Sequence, residues 1–124
     1  MSWTEQELKQ VDGTDELHVS SYRPDGTLRP FVTIWTARLG DDVYVRSAYG
    51  PDNGWFRRAK ESGTGRVRVG GVERDVRFEV PDDVVHAPLD DAYRAKYGRY
   101  DKQIVATVVG PALVGATLRA VPQD

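Results

Sequence analysis

The sequence contains no cysteine. This absence excludes disulfide bonds, thiolate nucleophiles and thiolate metal ligands from the 124-residue chain. Histidine is scarce as well: only His18 and His86 are present, and neither has further ligands at the spacing of a zinc site. We therefore expect no metal site and interpret both histidines as structural.

Long apolar runs are also missing. The first residues lack the basic-then-apolar pattern of a signal peptide, and no later stretch is apolar enough to span a bilayer. These absences predict a cytoplasmic protein that does not bind membranes.

The sequence has no strong excess of charge of one sign. With 17 basic and 19 acidic residues the net charge is −2, so there is no general attraction to nucleic acid, and we expect no nucleic-acid partner. The exception is local, because a predicted hairpin is rich in arginine. Its arginines could bind phosphate, or they could pair with the acidic residues of the same hairpin. They are Arg66, Arg68, Arg74 and Arg77, and the acidic residues are Glu73, Asp75 and Glu79.

Period-two alternation and turn residues predict a mostly antiparallel sheet. Residues 72–80 alternate between apolar and charged side chains, apart from Arg74 on the apolar face, and the preceding Gly70-Gly71 suits a primed hairpin turn. The first arm of this hairpin is expected at about residues 65–69. Four further strands are expected at about residues 16–22, 28–39, 42–47 and 116–121.

The strand patterns also predict the core. We expect the second predicted strand to bury either the face with Phe31 and Trp35 or the opposite one. Four further core residues are expected: Val43, Val45, Val76 and Phe78.

Helix signals are fewer. A capping box over residues 4–7 predicts a helix at about residues 5–11, and two more helices are expected at about residues 54–62 and from Pro88 to Gly98. The apolar segment 103–114 is predicted to be a loop or a short helix. Residues 1–124 therefore read as one α+β domain, mostly β, with about six antiparallel strands and peripheral helices.

The segment from Tyr44 to Lys60 carries the candidate site. A predicted strand ends there, a loop rich in glycine, proline and asparagine follows, and a helix opens with an aromatic pair and two arginines. Helix N-termini and arginines both favour anions. The segment is either the phosphate site of a nucleotide-like cofactor or an ordinary connection with solvated arginines. The candidate residues are Arg46, Ser47, Gly50, Trp55, Arg57 and Arg58.

Two details qualify this candidate site. Arg57 and Arg58 diverge by about 100° around a helix, so we expect only one of them, preferably Arg57, to contact a ligand. Several aromatic side chains could stack on a planar ring or could instead fill the core. They are Trp35, Tyr44, Tyr49, Trp55 and Phe56.

Four short motifs resemble the split-barrel proteins that bind flavin or deazaflavin cofactors, most of all the deazaflavin-dependent nitroreductase-like branch. They are Pro30–Trp35, Gly40–Val45, Ser47-x-x-Gly50 and Trp55-Phe56-Arg57. A closer resemblance, over nearly the whole chain, is to a bacterial family of unknown function assigned to that superfamily. Its motifs are Asp15–Val19, Val45–Gly50, Gly70–Val76, Tyr93–Tyr97 and Thr117–Arg119.

The resemblance implies a split β-barrel, a homodimer, and FMN or a deazaflavin in a groove with its phosphate near the loop after the third strand. Ser47 and Gly50 match that loop, and Trp55 with Arg57 matches the helix start. The asparagine-leucine that often follows the aromatic pair is here Arg57-Arg58. Two functions are favoured at this point: an oxidoreductase using such a cofactor, or a non-redox split-barrel protein that binds another anionic small molecule. A third, nucleic-acid binding through the arginine-rich hairpin, is disfavoured by the negative net charge and by the absence of a recognised nucleic-acid motif.

Overall fold

The computed structural model describes residues 2–123, and six antiparallel strands in this range form a closed barrel. Going around the barrel, the strands follow the order β1-β2-β3-β6-β5-β4. The expected antiparallel barrel of about six strands with peripheral helices is confirmed. The strands are β1 (Glu16–Ser21), β2 (Val32–Leu39), β3 (Asp42–Arg46), β4 (Thr64–Val69), β5 (Val72–Glu79) and β6 (Thr117–Pro122).

Four α-helices of the described range lie around the barrel: α1 (Glu5–Gly13), α2 (Gly54–Ser62), α3 (His86–Tyr97) and α4 (Lys102–Val105). Short 3-10 segments follow or precede them at Asp83–Val85, Ala106–Val108 and Pro111–Ala116. Across residues 2–123, none of the helices combines the length and the apolar character that crossing a membrane would need.

The hairpin of β4 and β5 forms as its sequence predicts. Gly70 and Gly71 adopt φ values of 52° and 87°, which a residue with a side chain rarely adopts, and Val69 pairs with Val72. The apolar side of the hairpin enters the barrel. Val76 and Phe78 of the hairpin lie in the barrel core together with Val43 and Val45 of β3. All four residues predicted to be buried are therefore buried.

Helix α1 is fixed at its start by the predicted capping box. The Thr4 amide donates to Glu7 at 2.8 Å, and the Glu7 amide donates to the Thr4 hydroxyl at 3.1 Å. Trp3 and Leu8 pack into the barrel core, and the Trp3 indole donates to the carbonyl of Ala120. The helix therefore covers one part of the barrel wall.

Strand β2 is covered on both sides, which differs from the one-sided burial that we expected. Val32 and Ile34 pack against the barrel core, whereas Trp35 packs under α3. The Trp35 ring lies parallel to that of Tyr97, with ring centroids 3.9 Å apart. Because each face is shielded only in part, Phe31 and Trp35 remain partly exposed.

Two element boundaries differ from the sequence prediction. Residues 28–31 are not part of β2: Leu28 makes only an isolated bridge to Tyr22, and Pro30 has no N–H to extend the ladder. Helix α3 begins at His86 rather than at Pro88. His86 is thus a buried residue in the first turn of α3.

The arginines of the β4–β5 hairpin are all paired. Arg66 bonds Asp75 at 2.9 Å, and Arg74 reaches Glu7 of α1 at 2.8 Å. The remaining contacts join Arg68 to Glu73 and Arg77 to Glu79. Of the two alternatives for this hairpin, the structure favours ion pairing, and its positive charge is compensated locally.

Candidate functional site

A groove opens beside β2, between the loop that follows β3 and the segment around α4. Its volume is about 480 Å³, within the usual range of ligand pockets. We call it the aromatic groove. It is lined by Val32, Thr33, Ile34, Trp35, Arg46, Ala48, Tyr49, Asn53, Trp55, Ile104, Thr107 and Val108.

A second cavity of about 400 Å³ lies at the turn between β1 and β2. We call it the arginine cleft. It is lined by Tyr22, Arg23, Pro24, Arg29, Arg58, Glu61, Ser62 and Thr64. A narrow neck shares Arg29 and Arg58 with the cleft, and it shares Val32 and Trp55 with the aromatic groove. The three spaces thus adjoin one another along the barrel surface.

Arg29 is held in the cleft by its backbone. Its amide donates to the carbonyl of Ser21 at 3.0 Å, and its carbonyl accepts from the Ser20 hydroxyl at 2.5 Å. The Nε of its side chain is buried and has no hydrogen-bond partner among the described residues. A buried donor without a partner is uncommon and costs stability. The same side chain lines the cleft and brings its positive charge to it.

Two more arginines share the cleft. Arg58, on α2, makes no ion pair within residues 2–123 and lies beside Gly54, where an added Cβ would be 2.7 Å from its Nη1. Arg23 donates at 3.0 Å to the carbonyl of Leu28, a neutral group. Glu61 is the carboxylate among the lining residues. Three cations against one anion leave the cleft positive.

The loop after β3 is shaped by Ser47 and Gly50. The Ser47 hydroxyl donates to the carbonyl of Gly50 at 2.6 Å and accepts from the Asn53 amide at 2.8 Å. Gly50 has a φ of 127°, which favours glycine. Because the side chain of Asn53 is used in the loop, it does not cap α2. The Ser47 hydroxyl is therefore committed to internal hydrogen bonds.

Arg46 is buried, with 1% of its surface exposed, although it also forms part of the groove lining. Its Nη1 lies 2.5 Å from Asp90 and donates to the carbonyl of Val108 at 2.9 Å. Its Nε donates to Thr117 at 3.0 Å, and its Nη2 approaches Nδ1 of His86 at 3.3 Å. Each guanidinium nitrogen thus has a partner, and Arg46 joins β3 to α3, β6 and the wall of the groove.

The buried ring of Tyr93 is a further neighbour of Arg46. The ring of Tyr93 lies 5.4 Å from the guanidinium carbon. Burial raises the pKa of Tyr93 well above its usual range, so its phenol stays neutral.

The predicted site residues fall into four positions. Arg46 and Trp55 line the aromatic groove, and Arg58 lines the neck and the cleft. Ser47 and Gly50 form the loop that borders the groove. Arg57 is exposed on α2 and does not line these cavities.

Sequence reasoning did not find the contributions of Arg23, Arg29 and Asp90. The two arginines flank the Pro24-Asp25-Gly26 turn, and this pattern was the available signal for a basic cluster at the end of β1. Nothing local marks Asp90 as the partner of Arg46, because the two lie 44 positions apart.

Solved structures with the same fold share little sequence with this chain. A candidate pyridoxamine 5′-phosphate oxidase from Listeria innocua superposes with a TM-score of 0.67 at 11% identity, covering 97% of this chain and 93% of the other. A protein named F420 reductase gives 0.60 at 17% identity, with 98% and 97% covered. The FAD and heme binding protein of Mycobacterium smegmatis gives 0.53 at 13% identity, with 100% and 73% covered.

At these identities the likeness establishes the fold, and it supports the expected split barrel. A search of curated proteins finds no match. Residues 7–120 match the sequence pattern of a family described as "uncharacterized protein conserved in bacteria (DUF2255)". This match spans most of the barrel and its helices, and it confirms the resemblance to a bacterial family of unknown function. The chain therefore belongs to the DUF2255 family.

Proposed function

We propose that this protein binds a flavin or deazaflavin cofactor along the aromatic groove, the neck and the arginine cleft, and that it serves as an oxidoreductase. The observation that carries the proposal is the pair Arg29 and Arg58. Neither side chain has an ion-pair partner in residues 2–123, and both lie where the neck meets the cleft. A phosphate placed there would receive charge-assisted hydrogen bonds.

The opposite end suits a planar ring. Trp55 is half-buried between the neck and the aromatic groove, and Trp35 and Tyr49 line the same groove. Aromatic side chains stack on flat ring systems. An elongated ligand with a ring at one end and a phosphate at the other matches this order of side chains.

The residues assigned to the site from the sequence keep distinct parts in this proposal. Trp55 and Arg58 would contact the cofactor directly. Arg46, Ser47 and Gly50 would position the loop and the groove wall, since their polar groups are already bonded within the protein. Arg57 and Arg58 are both exposed, but Arg58 lines the neck and the cleft whereas Arg57 does not, so the proposed phosphate contact moves to Arg58.

The names of the structural neighbours support the cofactor class, because they include an F420 reductase and a FAD and heme binding protein. A bound flavin or deazaflavin supplies the hydride chemistry itself. The protein's residues would bind the cofactor, orient its ring and limit its contact with water. We further propose a homodimer in which the second subunit deepens the aromatic groove, because pockets favour such junctions.

Titration of FMN, a deazaflavin and riboflavin into the wild type, Arg29→Ala and Arg58→Ala tests the proposal. Loss of one arginine–phosphate contact should weaken FMN binding by roughly 1.5–3 kcal/mol. Riboflavin has no phosphate, so its affinity should not change in either variant. Arg57→Ala is the matched control on the same helix and should bind FMN as the wild type does.

Three results would argue against parts of this proposal. If the wild type binds neither FMN nor a deazaflavin at millimolar concentration, the oxidoreductase function is wrong, and a non-redox anion-binding function takes its place. If Arg29→Ala and Arg58→Ala weaken riboflavin as much as FMN, the cleft does not hold the phosphate. If only Arg57→Ala weakens FMN, the phosphate lies on the outer side of α2.

A further inference from the structure

Tyr49 has an unusual backbone. It is the one non-glycine residue with a positive φ in residues 2–123, at 69°. A residue with a Cβ is strained in this left-handed conformation, and tyrosine is not among the residues that tolerate it well. Such strain persists only where the surrounding structure imposes it, and it is concentrated at ligand sites.

Backbone and loop contacts impose this conformation. The Tyr49 amide donates to the carbonyl of Thr107 at 2.9 Å, and the Asn53 side chain donates to the carbonyl of Ala48 at 2.8 Å. The following residue, Gly50, is locked to Ser47. The loop would keep these contacts with a glycine at position 49.

The side chain of Tyr49 does not explain the strain. It is 84% exposed, and no hydrogen bond of its hydroxyl is found in the described part of the chain. The ring therefore adds no burial to the folded protein, yet the loop presents it at the aromatic groove, whose lining also includes Trp55. A large exposed aromatic ring on a strained backbone, beside a cavity, is a feature that ligand binding would explain.

We propose that Tyr49 covers the planar ring of a ligand in the aromatic groove and stacks on it. This inference rests on the proposed function, since it assigns the ring end of the same site. In this role Tyr49 is a binding residue that favours ligands with a flat heteroaromatic ring over anions that have no such ring. The strain is then a cost of presenting the ring, and it is offset when the ligand is bound.

The test compares the wild type with Tyr49→Gly, Tyr49→Asn and Tyr49→Phe. Glycine and asparagine tolerate a positive φ, so both variants should unfold at a denaturant concentration no lower than that of the wild type. Both should bind FMN and riboflavin more weakly, by about 3- to 10-fold, as expected for the loss of an aromatic stacking contact. Tyr49→Phe should bind both flavins as the wild type does.

Flavin fluorescence provides a second readout that a structural role would not change. Stacking on Tyr49 should quench the emission of bound flavin, and this quenching should decrease in Tyr49→Gly and persist in Tyr49→Phe. Equal losses for FMN and riboflavin would place Tyr49 at the ring, because riboflavin lacks the phosphate.

The outcomes separate this inference from the proposed function. If the wild type binds flavin and Tyr49→Gly binds it with the same affinity and quenching, the role of Tyr49 is wrong and the proposed function stands. If Tyr49→Gly instead converts a dimer to a monomer, the ring contacts a second copy of the chain, and the inference is overturned. If the wild type binds no flavin or deazaflavin, both proposals fail.

Discussion

Arg46 and Asp90 form a buried ion pair in which Nη1 lies 2.5 Å from Oδ1, across 44 positions of sequence. The Arg46 side chain is fully buried, and that of Asp90 retains 17% exposure. Asp90 also accepts from the amide of Gly110 at 3.2 Å, so the pair holds α3 against the segment that follows α4. Breaking such a pair leaves a charge in the interior without its partner.

Asp90→Ala should therefore destabilise the protein by about 3–5 kcal/mol in urea denaturation. The neighbouring Asp91→Ala is the matched control. Asp91 pairs with Arg94 at the surface, so its loss should change the free energy of unfolding by less than about 0.5 kcal/mol. Equal effects of the two substitutions would show that the Arg46 pair does not stabilise the fold.

Gly65→Ala should disrupt the pairing of β1 with β4. A Cβ at this position would lie 2.0 Å from the carbonyl oxygen of Ser20 and 2.7 Å from the ring of Phe78. The backbone atom cannot move without loss of strand pairing, so we expect a cost of at least about 2 kcal/mol. Gly115→Ala has open space for its methyl group and should be close to neutral in the same denaturation assay.

Lys96 should make stability depend on pH in the alkaline range. Burial lowers the pKa of Lys96 from 10.5 to about 8, and its ammonium donates to the carbonyls of Val11 and Thr36. Between pH 8 and 10.5 the unfolded chain retains a proton that the folded protein has released, so stability rises with pH in this window. The destabilisation caused by Lys96→Met should accordingly be larger at pH 9.5 than at pH 7.5.

Chemical denaturation of both proteins at the two pH values measures this difference. Lys60→Met, on the exposed side of α2, is the control and should show no such change with pH. A cost of Lys96→Met that is constant, or that falls at pH 9.5, would mean that Lys96 stays protonated in the folded protein.

The proposed homodimer predicts sedimentation at about twice the chain mass at micromolar concentration. Ile104, half-exposed on α4 at the aromatic groove, is the apolar side chain that a second subunit would cover. Ile104→Glu should shift the protein to a monomer. Val84→Glu, which adds the same charge at an exposed position away from the groove, should leave the mass unchanged. A monomeric wild type would contradict this assembly.

Local patterns were sufficient to predict much of the fold. The capping box at Thr4 and the glycine pair at Gly70-Gly71 act within a few residues, and both formed as predicted. The start of β2 was wrong because alternation continues through residues 28–31, whereas Pro30 cannot donate to a ladder. A pattern of apolar residues carries no information about a backbone N–H that is missing at a proline.

The candidate site was harder to predict, because it depends on closure of the barrel. Arg29 and Arg58 lie in different parts of the sequence and meet only once α2 packs beside the end of β1. The sequence placed Arg46 among the candidate site residues but could not show that Asp90 would neutralise it. Local chemistry pointed to the segment that borders the aromatic groove. Only the long-range contacts show which residues of that segment are already bonded within the protein.

The closed order of the strands also restricts how copies of the protein can associate. Each of the six described strands hydrogen-bonds to a neighbour on both sides, so none of them is an edge along its whole length. Short one-sided stretches remain, such as residues 32–35 of β2, which pair with β1 but not with β3. Self-association then depends mainly on side chains and loops, whose contacts depend on shape and can be removed by single substitutions. Before β1 and β4 have paired, each of them presents a full edge, so closure of the barrel removes the longest stretches at which partially folded copies could add a strand.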